Sequence, residues 1–262
     1  MLIFQNSDLL SVEVRLGFRL RSPIMPYQTF YRFYDLVMGD RSQVATYLCG
    51  LIERYKPGAK SILEIACGTG GILGFLSDSY EVAGLDRSRE MLSIARKKLP
   101  HVRFYRQDMR KFRLASRVDV VICVFDSINH LVKFRDWQKV FRHVAAHLKD
   151  DGLFIFDVNT IGKLRRLTEE SAWVRRFGRD EVMVRVTGGQ RDIFEWQIRI
   201  FEREKNRNYK LREETIPELA VGMKRILLAL RAHFKKIDVL DPEGRRPSDQ
   251  SERLYFVCKR RQ

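Results

Sequence analysis

The segment Ser61-Ile62-Leu63-Glu64-Ile65-Ala66-Cys67-Gly68-Thr69-Gly70-Gly71 constrains the fold of this chain more than any other stretch. Ile62, Leu63, Ile65 and Ala66 read as a buried strand that runs into a glycine turn. Ile72, Leu73, Phe75 and Leu76 then continue as a helix. Glycine is required where backbone takes positive φ or approaches a ligand without a Cβ between them. The helix start that follows offers unpaired N–H groups. A strand–glycine–helix unit of this kind is a nucleotide-cofactor site in a doubly wound α/β sheet. Glu64 places a carboxylate inside the apolar strand, which repels a pyrophosphate but not a cationic cofactor.

With 262 residues, 45% hydrophobic and 11% aromatic, the chain is long enough to bury a full core. No apolar run approaches the roughly 20 residues of a membrane span. Residues 1–26 lack the apolar centre and small-residue cleavage site of a signal peptide, and read as an uncommitted leader. Cys49, Cys67, Cys123 and Cys258 form no C-x-x-C pair, and three of them lie in apolar periodic segments. Reduced core thiols in a cytoplasmic protein are expected. The net charge of +16 would suit nucleic acid or an acidic membrane surface. Lys and Arg are nevertheless interleaved with Asp and Glu along the whole chain, so a solvated basic surface is the favoured reading.

Helical spacing covers Tyr27–Val37 and, after Ser42, the face Val44, Tyr47, Leu48, Leu51, Ile52 and Tyr55. Strands are expected at Glu81–Leu85, Val102–Tyr105, Val118–Phe125 and Leu153–Val158. Helices alternate with them at Ser88–Lys98 and Asp136–Leu148, the signature of a parallel sheet. After Asn159 the texture changes. Val182–Val186 and Ile193–Phe201 read as strands joined by a hairpin turn at Gly188-Gly189. A helix is expected at Pro217–Leu230, with Pro217 in its first turn, then strands at Phe234–Leu240 and Arg253–Cys258. The chain thus divides into the leader, a cofactor-binding core at 27–169, an antiparallel β insertion at 170–214, and a closing helix and strands at 215–262.

The glycine turn resembles motif I of the class I S-adenosylmethionine (SAM) methyltransferases, an acid-x-G-x-G-x-G pattern that Glu64, Gly68 and Gly70 fit and in which Ala66 replaces the first glycine. The resemblance implies a Rossmann-like seven-stranded, mostly parallel α/β sheet whose last strand is antiparallel, with the β insertion covering the acceptor. It implies that Asp86, ending the second strand, accepts the cofactor's ribose hydroxyls, with Arg87 beside it and Met91 in the helix that Ser88 caps. It further implies that Asp108 meets the adenine amine, with Met109 supplying the next backbone N–H. Tyr34 belongs to a helix that lids the cofactor in such enzymes. Arg41 resembles the arginine that pairs with the cofactor's carboxylate in relatives of glycine N-methyltransferase.

Ligands in open α/β sheets sit outside the carboxyl ends of the strands. The fourth strand delivers Phe125-Asp126-Ser127-Ile128-Asn129-His130-Leu131 there, similar to the F-D-S-(I/L)-N-x-L loop of small-molecule methyltransferases. Phe125 is then expected against the cofactor, and Asp126 and His130 against the acceptor, with His130 the best single base. No metal site is expected: His143 and His147 share a helix face but lack a third ligand. Cys123 lies inside a strand without the proline of a cytosine-methylating site, and no N-P-P-Y or D-P-P-Y motif follows the fourth strand. The Tyr27, Tyr31 and Tyr34 stripe suits a core or a cage equally.

The implied reaction moves a methyl group from SAM to an O, N or C nucleophile of a small molecule. Trp173, Phe194 and Trp196 would roof the acceptor, and the arginines among them suit an anionic acceptor or the edge of an RNA site. Two alternatives stand beside this reading. An RNA methyltransferase or RNA-binding protein would use the basic charge, although no RNA module or basic cluster is present. An NADP-dependent oxidoreductase would use Gly68, Gly70 and Gly74, with Arg87 on the 2′-phosphate, but Glu64 opposes it.

Overall fold

A computed structural model describes residues 27–205 and 208–261; the expected leader lies outside the described residues. A 3-10 turn at Phe30–Arg32 leads into α1 (Tyr34–Met38), where one helix over Tyr27–Val37 was expected. Then follow α2 (Ser42–Tyr55), β1 (Ser61–Ile65), α3 (Gly71–Leu76), β2 (Glu81–Asp86), α4 (Arg89–Lys98) and β3 (Arg103–Arg106). The chain continues through β4 (Val118–Cys123), α5 (Phe134–His147), β5 (Leu148–Asn159) and α6 (Ile161–Glu169). Four strands come next: β6 (Trp173–Phe177), β7 (Asp180–Gln190), β8 (Ile193–Arg203) and β9 (Tyr209–Leu219). The described chain closes with α7 (Met223–Leu230), β10 (Phe234–Leu240) and β11 (Arg253–Arg260).

The main sheet has seven strands in the order β10-β11-β5-β4-β1-β2-β3, with β11 antiparallel to both neighbours. Its central strands are apolar at successive positions because both faces are covered. Ile62, Val120, Ile122, Ile155 and Val257 face α2 and its Leu48 and Ile52. Leu63, Val121, Phe154, Phe156 and Phe256 face the other way, onto Trp137, Val140 and Phe141 of α5 and Ile226 of α7. Trp137 is fully buried, and its indole N–H donates to the Leu131 carbonyl at 2.8 Å, which fixes the loop after β4 to α5. Burial of such side chains dominates the stability of the domain, at roughly 3–5 kcal/mol for each large aromatic.

The second sheet is larger than a hairpin. It is antiparallel, in the order β6-β7-β8-β9. Val182, Ile198, Ile200 and Ile216 on its inner face pack against Phe30 and Phe33, so it clamps the segment around α1. Leu164 of α6 packs against Val186 and Phe194 at the other end. Two expectations change here. The reversal between β7 and β8 lies at Arg191 and Asp192, both at positive φ, as a two-residue hairpin of primed type requires. Gly188 and Gly189 instead sit inside β7 at a register shift, where a bulge needs their φ near 100°. The second change is at Pro217, which lies in β9 opposite Glu195 of β8, and the following helix begins at Met223. Proline is tolerated because β9 is an edge strand, and its missing N–H breaks no ladder on the outer side. Glu214 and Glu218 occupy inward positions of that strand where apolar residues normally alternate, which disguises it.

Candidate active site

Both sheets and the α1 segment enclose a cleft of about 620 Å³ at the carboxyl ends of β1, β2, β3 and β4. The glycine turn forms one side. Ala66, Gly68 and Gly70 all take positive φ, at 56°, 53° and 73°. Ala66 therefore adopts the conformation of the glycine it replaces, a modest strain for a residue with a Cβ. Gly71 is needed for a different reason: a Cβ there would lie 1.6 Å from Nη1 of Arg41. The Arg41 guanidinium is buried on the turn, beside the Tyr34 and Phe125 rings, and donates to Asp35 at 2.9 Å. Asp35 also accepts from the Thr69 hydroxyl at 2.6 Å and pairs with Lys98, which ties α1 to the glycine turn.

Asp86 joins two loops. Its carboxylate accepts from the N–H groups of Gly68 at 2.9 Å and Ser88 at 2.8 Å, while the Ser88 hydroxyl caps α4 through Met91 N–H. Burial raises the Asp86 carboxyl above its ordinary range, with the two N–H donors opposing that shift. Asp108 differs: burial raises it, but the Arg110 fork at 2.9 and 3.0 Å more than compensates, so it stays ionised. Glu64 is 4% exposed, and its Oε2 has no hydrogen-bond partner among the described residues. Burial drives its carboxyl well upward, with Arg41 pulling against that and Asp86 adding to it. A buried polar atom left unpaired is costly, and such atoms cluster at sites that bind polar groups.

The opposite side comes from the loop after β4. Phe125 and Asp126 sit in succession at φ 57° and 50°, a strained pair held because Asp157 of β5 accepts both their N–H groups, at 3.2 and 2.7 Å. This reversal turns His130 into the cleft. Its Nε2 lies 3.0 Å from the Tyr27 hydroxyl. Its Nδ1 is buried without a hydrogen-bond partner, 4.0 Å from Glu218 Oε1. Burial lowers the His130 pKa below the usual imidazole value, with Asp126 partly restoring it.

Of the residues singled out in the sequence, Tyr34, Ala66, Gly68, Asp86 and Arg87 line the cleft, as do Met91, Asp108, Met109 and His130. Arg41, Glu64, Gly70 and Phe125 lie just behind its surface, around the glycine turn. Asp126 also stands behind the surface, where Arg253 donates to it at 2.7 Å. Asp126, His130 and Glu218 bring ligand-type atoms within 4.8 Å of one another. Arg253 and the half-buried Lys163 already supply the positive charge for that cluster. Three features escaped the sequence reading: the Tyr27 hydroxyl contact, Glu218, and a basic rim of Arg110, Lys133, Arg135 and Lys139. The rim residues come from two separate segments and show no local cluster in the sequence. Glu218 carries no signal because its segment resembles the start of an amphipathic helix.

Residues 62–152 match the family model of the methyltransferase domain. "Putative methyltransferase YqeM" of Bacillus subtilis is 30% identical over 254 residues, 90% of this chain and 98% of that one. A dTDP-3-amino-3,6-dideoxy-alpha-D-glucopyranose N,N-dimethyltransferase of Streptomyces fradiae is 39% identical over 129 residues, 47% of this chain. The chain spans about half the length of that relative, 51%. Among solved structures, a SAM-dependent methyltransferase from Clostridium acetobutylicum superposes with a TM-score of 0.78 at 24% identity, covering 89% of this chain and 98% of that one. The sugar N-methyltransferase KedS8 from Streptoalloteichus superposes at 0.76 with 22% identity, over 100% of this chain and 99% of that one. The strand order, the acids at the ends of β1 and β2 and the length of the YqeM match converge: the chain belongs to the class I S-adenosylmethionine-dependent methyltransferases.

Proposed function

We propose that the protein transfers a methyl group from SAM to the nitrogen of a small anionic molecule, of the phosphate-bearing amino-sugar class. The observation that carries this reading is the division of one cleft between two unlike walls. Asp86, Asp108 and the unpaired Glu64 carboxyl lie on the glycine-turn side, and His130, Lys133 and Arg135 come from the segment after β4. The first wall suits SAM. Asp86 would accept ribose hydroxyls, Asp108 the adenine amine, and Arg41 and Glu64 the charged amino-acid end. Met91, Met109 and Leu85 add apolar surface for the flat base. Bound there, SAM supplies an electrophilic methyl whose departure leaves a neutral thioether, so alignment and exclusion of water account for most of the acceleration.

The second wall suits the acceptor. Lys133 and Arg135 line the cleft without a salt bridge among the described residues, leaving their charges for an anionic ligand. An amine can attack only as its neutral form, and His130 Nε2 would hold the proton that the nitrogen loses. Relatives named as dimethyltransferases of dTDP-linked amino sugars support nitrogen as the nucleophile and a nucleotide-sugar anion as the acceptor class. A cleft of about 620 Å³ has the size usual for small-ligand sites.

The test is transfer of label from methyl-labelled SAM to a panel of dTDP-linked amino sugars, the corresponding free amino sugars and total tRNA. Label is expected in the phosphate-bearing amines. Label in tRNA alone would replace this reading with the nucleic-acid one.

A further inference from the structure

The cluster behind His130 contains a carboxyl that no part of the proposed chemistry has used. Glu218 of β9 is 1% exposed, so its strand gives up an inward apolar position to bury an acid. Burying a polar group costs free energy unless its hydrogen bonds are satisfied. Asn159 donates to Glu218 Oε2 at 3.0 Å, and Oε1 faces His130 Nδ1 at 4.0 Å. Asn159 is itself held: its N–H donates to Asn129 Oδ1 at 3.3 Å, and its own Oδ1 accepts from Lys163 at 2.8 Å. The Glu218 carboxyl is therefore fixed in orientation by a network reaching β5 and α6. Two buried polar atoms without another partner stand before it, Nδ1 of His130 and the indole Nε1 of Trp196.

We infer that Glu218 is the positioning residue of His130, accepting the Nδ1 hydrogen through its carbonyl oxygen and so leaving the Nε2 lone pair facing Tyr27 and the cleft. This rests on the reading of His130 as the group that takes the acceptor's proton. Neutral imidazole carries one N–H, and which nitrogen bears it is set by the partner of the other. In water the hydrogen prefers Nε2, which would leave no basic lone pair toward the cleft. An acceptor at Nδ1 reverses that preference. The Pro217 carbonyl, next along β9, acts in the same sense.

Glu218 fills this role as a neutral acid. Burial pushes its carboxyl well above the ordinary range, and the Asp126 charge pushes it further. Asp126 stays ionised: burial alone would raise it, but Arg253 and Lys163 hold it down. The acid hydrogen of Glu218 then points to Asp126, and its carbonyl oxygen to His130. No proton leaves the Glu218–Asp126 pair during turnover. The proton from the acceptor nitrogen goes to Nε2, and the imidazolium so formed faces the single negative charge of Asp126. The other charged or titratable groups around the ring are Tyr27, Arg87 and Arg253, none of which presents an acceptor to Nδ1.

The experiment compares Glu218→Leu and Glu218→Gln in the full chain by nitrogen-15 NMR of the histidine side chains, with His130→Gln assigning the resonance. Leucine removes the carboxyl and leaves the Pro217 carbonyl alone beside the ring. Glutamine keeps the shape, but its oxygen is held by the Asn159 amide, which turns its own amide hydrogens toward Nδ1. The native protein is expected to show the Nδ1–H form of His130, and both variants a shift to the Nε2–H form. Turnover should fall about tenfold to a hundredfold in both, with KM for SAM within a few-fold. Retention of the native Nδ1–H population in either variant would overturn the inference. The tautomer is read without acceptor or turnover, so its outcome is separate from whether His130 acts as the base.

Discussion

The Tyr27 hydroxyl lies 3.0 Å from Nε2 of His130, which joins the N-terminal segment to the loop after β4 across the mouth of the cleft. In the proposed reaction the acceptor amine approaches this ring nitrogen from the cleft. Burial lowers the His130 pKa, so the ring is neutral and able to take a proton at neutral pH. Turnover at saturating substrates should rise with pH through a midpoint below the ordinary imidazole value of 6.5 and then level off. His130→Ala should lower turnover by about a hundredfold and remove that limb, with SAM affinity unchanged within a few-fold. A rate profile identical to the native one in His130→Ala would rule out this role.

Glu214 explains why the segment before α1 is ordered at all. Its carboxylate accepts from the backbone N–H groups of Tyr27, Gln28 at 3.2 Å, Thr29 at 3.1 Å and Phe30 at 2.9 Å. Among the described residues no other acceptor meets those four donors. Glu214→Ala should speed hydrogen exchange across residues 27–38 and lower global stability by roughly 1–3 kcal/mol, the cost of leaving buried donors unpaired. Exchange confined to its native rate in that peptide would contradict the anchoring.

The basic rim gives a prediction about the acceptor alone. Lys133→Glu together with Arg135→Glu should raise KM for a phosphate-bearing acceptor by about tenfold or more, with KM for SAM little changed. The native KM for that acceptor should also rise with salt as the rim is screened. Equal KM values for the native and doubly reversed proteins would remove the rim from acceptor binding.

Asp119 governs stability away from the cleft. It accepts from Lys60 N–H at 3.1 Å, Ser61 N–H at 3.0 Å and the Ser61 hydroxyl at 2.7 Å, which pins the start of β1 to β4. Burial raises its carboxyl, but Ser61 and Lys149 outweigh that and bring it from 3.8 to about 2. A carboxyl lowered in the folded state stabilises above its unfolded value, and that contribution disappears as pH falls from 3.8 toward 2. After screening it amounts to about 1 kcal/mol. Asp119→Asn should lower the native melting temperature at pH 7 and leave the two proteins nearly equal near pH 2, as thermal unfolding followed by circular dichroism would record.

The main sheet and the glycine-turn side of the cleft were legible in the sequence because their signals are local. Glu64, the glycine turn, Asp86 and Asp108 each end or follow a strand whose apolar run is continuous, and all but Glu64 and Gly70 reach the cleft surface. The opposite side of the cleft was less legible because it depends on long-range pairing. Glu214 and Glu218 sit at inward positions of β9 yet are four residues apart, the spacing of a helix face, so the strand was read as a helix start. The Tyr27–His130 contact spans 103 residues, and nothing local to either residue announces it.

Cofactor binding is measured most directly by calorimetric titration. S-adenosylhomocysteine and SAM should each bind the native protein at one site, and NADP should release no heat. Asp86→Ala should weaken both adenosyl compounds by roughly 1.5–3 kcal/mol, the loss of charge-assisted hydrogen bonds from a buried carboxylate. Tight NADP binding with no response to either adenosyl compound, or an unchanged affinity in folded Asp86→Ala, would contradict this cofactor assignment.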